Sequence, residues 1–493
     1  MQTEAPTAEN TAENLRRAAI DRSVKGPVLF LFTNAAFWLM ASTLLGFIAA
    51  VKLVYPTFLD FSFLTYGRLL PAHLLALVYG WGIQAGLGVA LWLMARRTAV
   101  ELKGGQSTLI TLGVIWNIAI TVGILAVLCG GGTSLEWLEF PPVIAVILWF
   151  VFLVFAIRIV SMAARPQREE GFMVSTWYIL GACFWFPWIF ATATGLLHHV
   201  ELGALGAGIN AWFVHGVILL FFVPIGIGSA YYFIPKITGH PIQSAQLASV
   251  GFWGLAAFGG WTGMQRFMGG PIPGWMPAIG ALAGVLLLIP MGIVGLNHHL
   301  TTLGSHKLVS TSPTLRFTFF GAVFYPVSGV ILALNSAFWT GSTLQFTHAW
   351  YGYQIVVVYG FFSMCVFGAI YYIVPRLAGC EWLSVRLIRN HFWFSVYGIG
   401  TIVVTSLLAG LSHGASMNDP DNWSSSFWAP VMNSNPYITA RAVAWAMILW
   451  SNCWFLVHLM LMVAGLGRRS TTPTLLSHDH EHEELPLTEG AKA

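Results

Sequence analysis

Twelve stretches of this chain are apolar and long enough to cross a bilayer as helix, and that feature decides what it can fold into. They are residues 28–54, 69–95, 107–129, 141–164, 172–197, 207–235, 244–264, 275–297, 314–336, 347–375, 391–413 and 437–466. A helix needs about 20 such residues to cross the hydrocarbon layer. A closed barrel is the other spanning solution and would show alternating strands of about ten residues. Here the apolar residues run on unbroken. The expectation is an all-α membrane protein of about twelve transmembrane helices. Composition agrees, with 57% apolar and 9% charged residues, against about a quarter charged in a soluble domain.

Basic residues orient the bundle. With the N-terminus inside, all but Lys52, Arg68, Arg266 and Arg441 of the 23 lysines and arginines fall on the cytoplasmic side. Both termini are then cytoplasmic. The net charge of +4 describes topology, so lipid is the expected surrounding and no nucleic-acid partner is implied. Residues 1–26 read as a polar, disordered cytoplasmic segment without the apolar core of a signal peptide. Residues 27–467 form the transmembrane domain, and 468–493 a cytoplasmic tail rich in His and Glu. Its tract His478-Asp479-His480-Glu481-His482-Glu483-Glu484 reads as a solvated tail or a weak metal binder. The five cysteines form no C-x-x-C pair, which removes thiol redox motifs and covalent haem attachment.

Chemistry must come from polar residues inside the helices, where they are costly and therefore functional candidates. The histidines stand out. Helix directions place His73, His215, His348, His198, His199 and His413 in the outer half, and His298 and His299 at a cytoplasmic helix end. Imidazoles at one depth between helices are a common way for bundles to hold haem or metal. The ordinary alternative for each is an interhelical hydrogen bond. His73, His215 and His348 together are one candidate for a haem or metal site near the outer surface.

Several strings resemble the catalytic subunit of the cbb-type (C-family) haem–copper oxidases. Arg68-Leu69-Leu70-Pro71-Ala72-His73 is similar to that family's R-L-x-P-x-H. The resemblance implies His73 as axial ligand of a low-spin b-type haem and Arg68 near its propionates. Trp212-Phe213-Val214-His215, followed by Tyr231-Tyr232-Phe233-Ile234-Pro235-Lys236, is similar to the helix that supplies one of three copper ligands, which implies that role for His215. Leu315-Arg316-Phe317 and the end of the tenth span, Gly368 to Arg376, are also family-like. The likeness runs from about residue 28 to 465. It implies a subunit I-like bundle in a bacterial inner membrane, beside membrane-anchored c-type cytochrome subunits, in a chain that reduces oxygen and pumps protons.

The active-site strings then depart from that pattern. Where the family has W-x-G-x-H-H, this chain reads Trp261-Thr262-Gly263-Met264-Gln265-Arg266, and Gly269 stands at the tyrosine position. Where the family has G-H-x-H, it reads Gly352-Tyr353-Gln354-Ile355. Copper needs more than one nitrogen donor, so a copper-free site is expected. Arg266 either sets its fixed charge at the copper position or snorkels to the interface. Tyr353 either makes an ordinary hydrogen bond or ligates an iron as phenolate. Ile355 ligates nothing. His348 lies seven residues earlier on the same face, about 10 Å along the axis, compatible with a cofactor moved outward. Two functions follow. One is a subunit I-like redox protein that keeps one or two b-type haems, passes electrons and does not reduce oxygen. The other is a cofactor-poor structural or assembly paralogue, or a small-molecule conduit.

Overall fold

The computed structural model describes residues 8–165, 173–199, 203–419, 427–470 and 472–476. Twelve helices carry the bundle: α1 (Ala8–Val54), α2 (Tyr66–Thr98), α3 (Gln106–Leu128), α4 (Pro142–Ala163), α5 (Val174–His199), α6 (Gly203–Thr238), α7 (Ala245–Phe258), α8 (Trp275–Thr302), α9 (Pro313–Ser336), α10 (His348–Ala378), α11 (Val385–Asn418) and α12 (Trp428–Val463). Among the described residues, eleven are long and apolar enough to span a membrane. The exception is α7. At 14 residues it reaches about 21 Å and passes into 3-10 turns at Gly259–Trp261 and Met264–Phe267. The span expected over 244–264 therefore stops at Phe258, where Gly259-Gly260 weakens helix.

Three helices form the centre. The apolar stretches of α2 and α10 are wholly buried and that of α6 is 94% buried, against half or less in the other eight spans. A helix that is apolar all round belongs inside. Each of the three contains a π-helical stretch: Ala76–Ile83, Ile218–Phe222 and Val356–Ser363. These stretches meet. Trp81 Nε1 donates to Ser363 Oγ at 2.7 Å, and the Phe222 and Phe362 rings lie 4.8 Å apart. At Gly82, an added Cβ would come within 2.4 Å of the Phe222 ring, so only glycine allows that approach. Ser363 Oγ also donates to the Val358 carbonyl at 2.8 Å, satisfying backbone inside a stretch where the regular ladder is widened.

The N-terminal segment is a correction to the expected disorder. α1 begins at Ala8, and Ile20 and Val24 are buried. Its polar first turns are held by the end of α2: Trp92 Nε1 donates to Asp21 at 3.1 Å, and Arg96 donates to the Arg17 carbonyl. The start of the tail is ordered too. Arg468 bridges Glu381, the Glu381 carboxylate accepts from Thr474, and Leu476 is buried. The His/Glu tract lies outside the described residues.

Gly263 anchors the turn that carries Gln265 and Arg266. Its φ is +117°, and an added Cβ would sit 2.5 Å from the Trp212 Cα and 2.6 Å from the Ala211 carbonyl oxygen. Both are backbone atoms and neither can move aside. Gly263→Ala is expected to cost about 1–3 kcal/mol or more, read as a lowered thermal midpoint of the detergent-purified chain. Gly269→Ala is the control, since its added Cβ meets nothing within 4 Å; the strain of its φ of +79° should leave the smaller loss.

Candidate functional site

His73 lies early in α2, fully buried. Its Nδ1 donates to the Ser42 carbonyl on α1 at 2.8 Å, and Ser42 Oγ donates back to the His73 carbonyl at 3.0 Å. A donating Nδ1 fixes the tautomer and leaves a lone pair on Nε2. Nε2 has no partner. The ring stands edge-on to Trp445 of α12 at 4.8 Å, and Gly46 is so close that an added Cβ would come within 2.8 Å of it.

His73 lines a cavity of about 170 Å³ together with Tyr66, Glu136, His348, Trp350, Tyr351, Gln354, Arg441 and Trp445. His73 and His348 thus share one space, and His215, the third member of the expected grouping, is not among its lining residues. His348 is differently prepared. Arg441 lies 3.4 Å from its Nδ1, and since arginine only donates, Nδ1 accepts and Nε2 carries the proton. His413 packs beside it, ring centres 6.4 Å apart.

His215 does not line this cavity, but its neighbour Trp350 does. His215 is buried, neither ring nitrogen has a partner, and its ring stacks on Trp350 at 4.5 Å and on Tyr353 at 5.7 Å. Trp350 and Tyr353 stack on each other at 5.2 Å. The Arg266 guanidinium lies over Trp350 at 4.2 Å and pairs with Glu136 at 3.0 Å. The Glu136 carboxylate also accepts from Trp350 Nε1 at 3.2 Å and Gln354 Nε2 at 2.6 Å. The replacement at one expected ligand position is therefore matched by an anion and a ring face suited to a guanidinium. Arg266 points into the protein and does not snorkel. Gln265 is buried, donates to Ser336 Oγ at 3.4 Å and accepts from the Gly263 N–H. Among the described residues, no three His, Cys, Asp or Glu side chains are grouped to hold an ion.

The other expected positions fall as follows. Gly269, with φ +79°, is an exposed turn residue. Ile355 is buried. Tyr353 is buried with an unpartnered hydroxyl, so its ordinary hydrogen bond is absent. Arg68 donates to the Ser62 and Leu128 carbonyls at 2.9 and 3.1 Å, which ties a 3-10 turn to the end of α3. Arg441 is the arginine that lines the His73 cavity. The side chains of His198 and His199 lie outside the described residues. His298 is buried near Tyr231 in the opposite half. Sequence reasoning missed Ser42, Glu136, Arg441 and Trp445, and also His391, whose Nδ1 sits 2.8 Å from the Tyr371 hydroxyl. A carboxylate in the otherwise uncharged loop stretch 129–138 was the one signal that pointed to Glu136.

That loop holds a second carboxylate. Burial pushes the Glu139 carboxyl up to about 8, against the pull of the Trp137 and Glu139 backbone N–H groups and with help from Glu136. The folded state thus holds a proton that the unfolded chain loses near 4.5. Stability is full at acid pH and falls as pH rises from about 4.5 through 8. In Glu139→Gln that decline should shrink, measured as thermal midpoint against pH. Glu136→Ala strands three donors and should cost about 1–3 kcal/mol. Arg266→Ala removes one partly exposed pair and should cost about 0–1 kcal/mol. A larger loss for the arginine variant would contradict the reading of Glu136 as the hub.

Residues 26–447 match the cytochrome c and quinol oxidase polypeptide I family. A cytochrome c oxidase subunit 1 homolog of Agrobacterium tumefaciens (strain T37) is 25% identical over 471 residues, 90% of this chain and 82% of that protein. The cbb3-type cytochrome c oxidase subunit CcoN1 of Stutzerimonas stutzeri is 24% identical over 433 residues, 83% of this chain and 88% of that protein. One chain in a cryo-EM structure of a haem–copper terminal oxidase dimer superposes with TM-score 0.76 at 15% identity, covering 91% of this chain and 85% of its own. That likeness shows a shared fold. The chain is a multi-pass membrane protein with the subunit I bundle, and it belongs to the cytochrome c and quinol oxidase polypeptide I family.

Proposed function

We propose that this chain binds one b-type haem through His73, holds no copper, and passes electrons without reducing oxygen. The observation that carries the reading is the His73 imidazole. Its Nδ1 is committed to the Ser42 carbonyl, and its Nε2 is buried, deprotonated and unpartnered on a side chain lining a cavity. That is how a ligating histidine is held: a second partner fixes the tautomer and ring direction. A buried nitrogen without a partner is otherwise costly, and a metal ligand bond would remove the cost. When bound, a b-type haem supplies one-electron chemistry. Ser42 orients the ligand, and Arg441 brings a positive charge to the same cavity. The sixth position is open to His348 only if it gives up its proton on Nε2.

The copper half of the reading rests on donor chemistry. His215 has Trp350 and Tyr353 against its ring, and the positions expected for two further imidazoles hold Gln265 and Arg266. One nitrogen with a guanidinium nearby does not fit Cu²⁺. Without the haem–copper pair, no group here splits the O–O bond. The localisation we propose is the bacterial cytoplasmic membrane with both termini inside, supported by the distribution of basic residues. A membrane-anchored c-type cytochrome subunit is the proposed electron partner. The support is that one relative is named as a subunit of a cbb3-type oxidase.

A second reading, a cofactor-free structural subunit, is favoured by one observation. The cavity of about 170 Å³ is below the roughly 300–1,000 Å³ of typical ligand pockets. Visible spectra separate the two. The purified chain should show reduced b-haem bands, His73→Ala should be colourless with an unchanged elution profile, and His215→Ala should keep the spectrum. Oxygen uptake should stay at background with an artificial electron donor. A colourless wild type would decide for the cofactor-free reading. Uptake at an ordinary oxidase rate, with stoichiometric copper, would overturn the proposal.

A further inference from the structure

At the end of the bundle opposite the His73 cavity, the tips of four helices converge on a basic cavity of about 590 Å³. α1 contributes Arg17, Arg22 and Lys25, α2 contributes Arg96, α6 contributes Lys236 and α10 contributes Arg376. One acid, Asp21, lines the same space, and it is already engaged by Arg96 at 3.6 Å and by Trp92. Topology explains why basic residues lie at this end. It does not explain why six of them face one space, where like charges repel. Lys236 is within electrostatic reach of Arg17, Arg96, Arg97 and Arg376. Arg17 pairs with Glu13 at 2.8 Å, and Arg376 is turned back over the Tyr372 ring at 3.4 Å. Lys25 and Lys236 are exposed, and neither has a hydrogen bond or ion pair among the described residues.

A second feature adjoins it. A groove of about 700 Å³, lined by Val174, Trp177, Tyr232, Pro235 and Ile242, runs beside the cavity and shares Lys236 with it. Its lining is mainly aromatic and aliphatic, which suits an acyl chain.

We propose that this cavity seats the phosphates of an anionic phospholipid, with an acyl chain lying in the adjoining groove. Even with Arg17 paired to Glu13 and Arg96 to Asp21, the six cations leave an excess that calls for more than one negative charge, so a lipid carrying two phosphates fits better than one carrying a single phosphate. Basic pockets between transmembrane helices on the cytoplasmic side commonly take such headgroups. The shared chemistry is a paired phosphate, which a soluble pyrophosphate also offers. The groove is the reason to favour the lipid. Binding neutralises the mutual repulsion of the four helix tips and so clamps α1 onto α2, α6 and α10.

The test uses the full chain, purified in a delipidating detergent, with thermal midpoints recorded on titration. The probes are a diphosphatidyl lipid, phosphatidylglycerol, phosphatidylcholine and pyrophosphate. The diphosphatidyl lipid should stabilise most, with an affinity that falls as salt rises. The double variant Lys25→Gln/Lys236→Gln keeps every intramolecular bond named above and should keep the lipid-free midpoint. It should bind roughly tenfold or more weakly. Equal stabilisation by phosphatidylcholine, or lipid binding by the double variant at wild-type strength, would overturn the proposal. Pyrophosphate binding as tightly as the lipid would overturn the lipid as the source and reassign the site to a soluble anion.

Discussion

Inside a membrane a buried polar group has no water to turn to, so each must find its partner within the bundle. Several polar groups of the three central helices do so. Trp81 reaches Ser363 across the meeting π stretches, Ser363 covers a backbone carbonyl, and Asn452 donates to the Tyr359 hydroxyl. Packing fixes the rest, down to a glycine at 82 that lets Phe222 approach. Among the described residues the exceptions include His73 Nε2, both nitrogens of His215 and the Tyr353 hydroxyl, and of these His73 alone lines the cavity beside His348 with its other nitrogen committed. His73 is held by two hydrogen bonds to Ser42 and ends in a lone pair with no donor. The haem reading grows from that imbalance.

The two ends of the candidate site have taken different courses. At the His73 end the ligand keeps the setting of a ligand. At the His215 end, stacked rings and a charge pair occupy the surroundings: Arg266 meets Glu136 and lies over Trp350, while Gln354 completes the carboxylate's bonds. Single losses of metal ligands would have left orphan charges. Here the Arg266 guanidinium is matched by the Glu136 carboxylate and the Trp350 ring face, while the Tyr353 hydroxyl is left without a partner. These interactions are what the proposal of electron transfer without oxygen chemistry rests on.

Much of this architecture was legible in the sequence. Unbroken apolar runs located the helices, because a membrane span leaves a composition signal that needs no partner to read. α7 was overestimated because Gly259-Gly260 sits within an otherwise apolar run, and an average over the window hides a helix stop. The first turns of α1 were misread because their polarity is satisfied by Trp92 and Arg96, far along the chain. The π stretches left no trace, since they arise where three helices press together. In the site, the altered ligand positions were visible as letters. Their partners were not, because Glu136 lies 130 positions before Arg266 and Ser42 is 31 before His73. Only the fold brings those pairs together.

The central claim is a haem without copper, and the haem-to-chain and copper-to-chain ratios of one purified sample test it most directly. The account predicts one b-type haem per chain by pyridine haemochrome and copper at background. Copper in equal proportion to the chain, or no haem at all in folded protein, would contradict it.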